Sequence, residues 1–339
     1  MLQTNIAIVG AGPAGSICAI MLQRAGIDCL LIDRATFPRD KLCGGGLTPR
    51  AWKLLDRVMP DFKYDYLPVQ DLRACFEGQY KTTCHLSQPI RIVKRQDFDH
   101  LLVQEYLRLG GKMLKETLGT VSELEDGLLL RMRSGEEVKC SHLVGADGAN
   151  SQARRFLQPD FHADVLCLEQ YEPRDKSKTP VITLGLSRQF DRGYYYEFPN
   201  TEFVAVGYGD HRTTVEEYRK VIQSYGFGLR KERGAMITVS QDYPEHPRVT
   251  LVGDAGGWID DMSYEGIYYA LATGYNASQA IIKGLPFAEV NAEIVRKKRH
   301  KVRECRLVYS KLGLRLMKLA LGCRPLSNRL LNKYMGCAD

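Results

Sequence analysis

The apolar positions of this chain change period several times, and each change marks an element. Residues 5–9 are a short apolar run, which predicts a buried strand. Ala14, Ile17, Cys18, Met21 and Ala25 then recur at helical spacing before Gly26. A second apolar run, residues 29–32, ends at Asp33 and completes a βαβ unit. Residues 51–58 read as helical and residues 72–92 as strand-like. Residues 97–109 read as a helix, with Phe98, Leu102 and Tyr106 on one face and Gly110-Gly111 as its stop. Strands resume over 121–144 around an Asp126-Gly127 turn. Residues 156–239 mix β-branched and aromatic residues in short runs, predicting an antiparallel sheet with one helix at 214–225. A strand at 249–252 leads through Gly253-Asp254 into a helix over 265–282, and residues 287–334 are helical and basic.

The dinucleotide-type signals lie on both sides of the sheet-rich block, so the second unit is inserted rather than appended. The expected fold is α/β. Residues 1–70, 93–155 and 247–286 form a Rossmann-like unit, residues 71–92 and 156–246 a β-sheet substrate unit, and residues 287–339 a basic helical segment. With 44% hydrophobic residues in 339, the chain can fill a core, which excludes wholesale disorder. No run reaches the roughly 18 apolar residues of a spanning helix, and residues 1–9 lack the basic stretch of a secretory leader. Ten cysteines without a CxxC pair read as reduced thiols, so a cytoplasmic protein without a metal site is expected.

Charge changes the picture only once it is located. The formal net is +7, but residues 296–333 hold thirteen Lys or Arg and one acid, Glu304, leaving the rest of the chain acidic. A general case for nucleic-acid binding fails on that distribution. Leucines and valines alternate with the cations there, which suits a helix lying on an anionic membrane surface. Peripheral contact with the inner face of the membrane is therefore expected for this segment, with a helix docked on the body as the alternative.

The first chemical motif is Gly10, Gly12 and Gly15 between strand and helix. The first glycine allows the turn, the second the approach of a pyrophosphate, and the third close packing of helix on strand. With Pro13 and Ala14 they present a helix N-terminus to phosphates. Asp33 follows 18 residues after Gly15, placed for a ribose, with Arg34 beside it. Asp147-Gly148 and Gly253-Asp254 each follow an apolar strand, and Gly266 and Ile267 open the helix after the second. No second dinucleotide fingerprint occurs, so reducing equivalents are expected from transient NAD(P)H docking or a small redox protein.

Together these segments match the flavoprotein fold of the para-hydroxybenzoate hydroxylase class. That resemblance implies FAD, with Asp254 on the ribityl chain, the helix after it aimed at the flavin pyrimidine, and Arg95 in contact with the cofactor. The segment Phe37-Pro38-Arg39-Asp40-Lys41-Leu42-Cys43-Gly44-Gly45-Gly46-Leu47 closely resembles the loop of the geranylgeranyl reductase family, flavoenzymes that saturate prenyl double bonds. Tyr194, Tyr196, Phe198 and Pro199 are similar to that family's Tyr-x-Trp-x-Phe-Pro segment, which lines the substrate cavity, with Tyr196 in place of the tryptophan. Asp261 and Tyr264 stand where Pro and Gly are expected. The resemblance spans residues 3–285 and leaves the C-terminal segment without a counterpart.

The reaction implied is hydride transfer from reduced flavin to a carbon–carbon double bond of an isoprenoid lipid, with a proton delivered to the other carbon. Cys43 is the candidate thiol beside the flavin, since Gly44 and Gly45 let its loop approach the ring. Tyr264 and Glu265 are alternative proton donors, although an acid at Glu265 could equally favour its helix N-terminus. The rivals are an aromatic hydroxylase, which Gly257 in place of the usual His disfavours, a halogenase, which lacks its Trp-x-Trp-x-Ile-Pro segment here, and a flavin-binding protein without turnover.

Overall fold

A computed structural model describes residues 1–337. Its first sheet has seven strands: β1 (Leu2–Val9), β2 (Cys29–Asp33), β6 (Lys112–Lys115), β7 (Leu118–Leu124), β8 (Gly127–Met132), β9 (Glu137–Gly145) and β15 (Val249–Leu251). Its second has eight: β3 (Gly46–Leu47), β4 (Leu67–Phe76), β5 (Gln79–Ile92), β10 (Val165–Pro173), β11 (Val181–Leu186), β12 (Tyr194–Pro199), β13 (Phe203–Asp210) and β14 (Arg233–Ile237). The helices are α1 (Pro13–Arg24), α2 (Pro49–Val58), α3 (Arg95–Arg108), α4 (Gln152–Leu157), α5 (Val215–Ser224), α6 (Ile267–Lys283), α7 (Phe287–Val290), α8 (Ala292–Val308), α9 (Lys311–Gly322) and α10 (Arg324–Tyr334).

The first sheet is parallel where it carries the glycine motif. Ile6–Val9 of β1 pair with Cys29–Ile32 of β2 on one side and with β9 on the other. The second half of β1 is buried on both faces, between α1 and α3 on one side and Leu118, Leu128 and Leu143 on the other, which is why its pattern is an apolar run and not an alternation. Gly274 allows α6 to lie directly on α1, since a Cβ there would stand 2.1 Å from the Ala14 carbonyl oxygen. The start of α1 thereby meets the Gly253 turn, although the two are far apart in sequence.

The second sheet runs β14-β10-β13-β12-β11-β4-β5-β3, antiparallel apart from β11 on β4. The expected α/β architecture with an inserted sheet is the one the chain adopts. That insertion is mixed and not purely antiparallel, because residues 67–92 and 181–186 arrive from different crossings.

The C-terminal segment docks onto the body. Leu321, Leu331, Met335 and Cys337 join the core of β4 and β5. Lys298 of α8 is fully buried and donates to the Gly257 carbonyl at 3.0 Å and to that of Ile259. All ten cysteines are free, and no helix among the described residues is long and apolar enough to cross a membrane.

Candidate active site

The glycine turn is built as its residue types require. Gly10 has φ +104°, and a Cβ on it would stand 2.1 Å from the Ala146 oxygen; one on Gly15 would stand 1.8 Å from the Gly10 oxygen. Gly12 is different. Its nearest neighbour would be the Arg39 guanidinium at 3.6 Å, so what it leaves free is space for a ligand. Pro13 opens α1, whose N-terminus has no side-chain cap. The Asp33 carboxylate is held by the amides of Ala11 (2.7 Å) and Ala35 (2.8 Å) at the end of β2. Arg34 is exposed.

The other motifs converge on the same region. Asp254 is the informative member. Its carboxylate accepts no hydrogen bond from any other described residue, and it faces Gly266 with an oxygen 3.8 Å from where a Cβ would be. Burial pushes its carboxyl up, opposed by Lys41 and Arg95. A desolvated carboxylate without protein donors is a site for ligand hydroxyls. Gly266 precedes α6, whose first amides also lack a side-chain cap. Two free helix N-termini and one free carboxylate therefore suit the pyrophosphate, pyrimidine and ribityl chain of FAD.

Arg95 is no surface charge. It is buried and grips Asp99 through two bonds of 2.8 Å. Asp99 also pairs with Arg39 at 3.1 Å, so α3 holds two guanidinium groups near the glycine turn. Arg39 and Asp99 were not singled out from the sequence; an acid four residues after Arg95, which puts both on one helix face, is the available signal. Asp147 is placed differently from Asp254. It accepts from the Ser151 hydroxyl and from the amides of Gln152 (2.7 Å) and Ala153 (3.3 Å), so its carboxylate is occupied by the start of α4. Gly148 supplies the positive φ of that turn.

A cavity of about 230 Å³ lies between one face of the second sheet and the C-terminal helices. Its floor is Cys43, Gly44 and Gly45 on one side and Gly266 and Ile267 on the other, both from motifs assigned to the flavin. Gly44 lies under the Phe198 ring, where a Cβ would come within 2.7 Å. Cys43 Sγ accepts from the Gly45 amide at 3.4 Å and neighbours the Arg95 guanidinium. Tyr194, Tyr196 and Phe198 alternate along β12 and share the cavity face, their rings about 6 Å apart. Pro199 is buried at the end of that strand and does not line the cavity.

The candidate proton donors separate. Tyr264 donates to the Arg192 carbonyl at 2.9 Å, which occupies its hydroxyl proton. Glu265 lines the cavity and is held by Thr48 and Arg50, so it does not serve as a helix cap. Burial pushes its carboxyl up and Arg50 pulls it down.

A further pair went unseen in the sequence. Tyr196 donates to Glu169, a fully buried carboxyl, at 2.9 Å. Burial pushes Glu169 up to about 7. Register explains the contact: Glu169 of β10 lies opposite Gly207 of β13, which lies opposite Tyr196 of β12. A Cβ on Gly207 would stand 2.2 Å from the tyrosine ring, so its absence lets Tyr196 reach across to Glu169.

The C-terminal helices complete the cavity. Met317 and Leu321 of α9 and Leu330 and Tyr334 of α10 line it. The docked arrangement given as the alternative for this segment is thus present, and its inner face is part of the site.

The FAD binding domain family matches residues 3–167. A menaquinone reductase of Mycobacterium tuberculosis is 30% identical over 82% of this chain and 76% of its own length. An uncharacterized protein of Methanosarcina barkeri is 27% identical over 99% of this chain and 88% of its own. That alignment runs through the C-terminal helices, which therefore have a counterpart. Among solved structures, a geranylgeranyl bacteriochlorophyll reductase-like protein from Thermoplasma acidophilum superposes with a TM-score of 0.71 at 20% identity, covering 99% of this chain and 91% of that one.

Proposed function

Because the chain belongs to the geranylgeranyl reductase family of FAD-dependent oxidoreductases, we propose that it saturates carbon–carbon double bonds in the prenyl chain of a lipid. The observation that carries this reading is the cavity. Its walls are aromatic and aliphatic, drawn from β12, α9 and α10, and its floor is formed by the two loops assigned to the flavin. Such a lining suits an extended hydrocarbon and offers few groups to orient a small polar aromatic. The resemblance to a relative named menaquinone reductase supports a lipid-like substrate.

FAD bound there supplies the hydride. The chain's own residues do the rest. Asp254 and the uncapped starts of α1 and α6 hold the cofactor, and Phe198 over Gly44 keeps the Cys43 loop against the cavity. Tyr194, Met317 and Leu321 exclude water from the alkene. Cys43 and Glu265 line the cavity as candidate proton donors, and Tyr196 is a third because its acceptor Glu169, unlike the backbone carbonyl that holds Tyr264, is an acid that can itself carry a proton. Reducing equivalents come from NAD(P)H or a small redox protein docking transiently.

The test is anaerobic. Reduced holoprotein mixed with prenyl lipids should re-oxidise its flavin as the lipid gains the mass of two hydrogens per bond. Re-oxidation only by oxygen, with a hydroxylated phenol as product, would overturn the proposal in favour of a hydroxylase.

A further inference from the structure

The C-terminal helices have a second face that the cavity does not use. On α9, Leu314, Met317 and Leu321 face the body. Leu312, Leu316 and Leu319 sit at i, i+4 and i+7 on the opposite side and are 66%, 56% and 71% exposed. Leu307 at the end of α8 and Leu326 at the start of α10 are exposed as well. Isolated exposed leucines need no explanation, but five within twenty residues, three of them in one helical stripe, do.

Charge indicates what covers them. Lys311, Arg315 and Lys318 form the file beside the stripe, and Arg306 and Arg324 flank it at either end, all exposed. Arg306, Lys311, Arg315 and Arg324 make no ion pair with any described residue, and no acid occurs between Arg306 and Lys333. An unpaired basic file next to a leucine stripe on a helix lying along the surface matches the chemistry of an anionic bilayer, with headgroups for the cations and acyl chains for the leucines. A second copy of this chain would set cations against cations.

We infer that the Leu312–Leu316–Leu319 stripe of α9, with its basic flank, is a docking face for an anionic lipid surface. The inner face of the same helix walls the cavity, so α9 stands between membrane and substrate site. The docking face is independent of which molecule the cavity takes, and its test involves no turnover.

Flavin-loaded protein is co-sedimented with vesicles of phosphatidylcholine alone and with vesicles in which a third of the lipid is phosphatidylglycerol. Binding at least tenfold stronger to the anionic vesicles, and loss of it in molar salt, is expected. Each of Arg306→Gln, Lys311→Gln, Arg315→Gln and Arg324→Gln should weaken it about fivefold. The triple variant Leu312→Glu, Leu316→Glu, Leu319→Glu should lose binding while keeping its flavin absorbance and thermal midpoint, because these side chains are exposed. Equal binding to neutral vesicles, or wild-type binding by the triple variant, would overturn the inference. So would a dimer that the triple variant dissociates, which would give the face to a second copy.

Discussion

Glu169→Gln isolates the energetic cost of the buried carboxyl behind Tyr196. The side chain is fully buried on β10, accepts one hydrogen bond, from Tyr196 at 2.9 Å, and its other oxygen has no partner among the described residues. Burial holds its folded-state titration near 7, against about 4.3 in an unfolded chain. Between those values the unfolded chain has released a proton that the folded chain retains, so stability falls as pH rises. The penalty is absent below about pH 4, grows through the interval, and is complete above about pH 8. A difference of about 2.7 units amounts to roughly 4 kcal/mol. In a chain of this length that is about 5 °C in thermal midpoint. Glutamine keeps the acceptor for Tyr196 and cannot ionise. Its constant offset from a buried amide cancels when the two pH profiles are subtracted. Thermal unfolding of flavin-loaded wild type and variant should therefore give curves that diverge from pH 5 to 8, with the wild type falling away. Parallel curves would show that Glu169 enters the fold already ionised, and would remove it as a proton reserve behind Tyr196.

Three further perturbations test the rest of the site. Gly207→Ala places a Cβ 2.2 Å from the Tyr196 ring; it should displace the tyrosine from Glu169 and lower turnover with flavin content intact, and an unchanged pH profile of turnover would refute the coupling. Asp254→Ala removes the free carboxylate and should weaken FAD binding by about tenfold to a hundredfold, the value of one or two charge-assisted hydrogen bonds, as read by fluorescence titration of the apoprotein. Full flavin retention would reassign that residue. Cys43→Ser should leave FAD bound and cut alkene reduction at least tenfold in single-turnover assays, whereas unchanged rates would reduce the thiol to a packing group.

What was legible in the chain followed from local rules. Gly10, Gly12 and Gly15 with Asp33 could be read because a strand, a tight turn and a helix N-terminus each demand particular residue types at neighbouring positions. Gly253-Asp254, Gly266 and Arg95 obey no such local rule and were singled out only through the resemblance to the flavoprotein fold. The Glu169–Tyr196 contact obeys no local rule. It depends on β10, β13 and β12 aligning so that a glycine falls between a carboxyl and a phenol, and register in an inserted sheet is set by pairings far apart in sequence. Within residues 166–171 of β10 Glu169 is the one charge, among Leu166, Cys167, Leu168, Gln170 and Tyr171, and a charge inside such a run is the feature that could have pointed to it.

The C-terminal helices show the other way in which pattern runs out. Leucine is abundant on both sides of α9, and a sequence shows only that apolar residues recur, not which file meets protein. Leu314, Met317 and Leu321 lie roughly opposite Leu312, Leu316 and Leu319 on the helical wheel, so the two files are equally regular. Only the docked position of α9 on β5 distinguishes a cavity wall from an exposed stripe. A helix apolar on two faces and cationic between them has to meet two apolar environments at once. The first is the cavity. The second is a surface that also accepts positive charge, which is why one amphipathic segment can serve both the lining of the site and its delivery to a membrane.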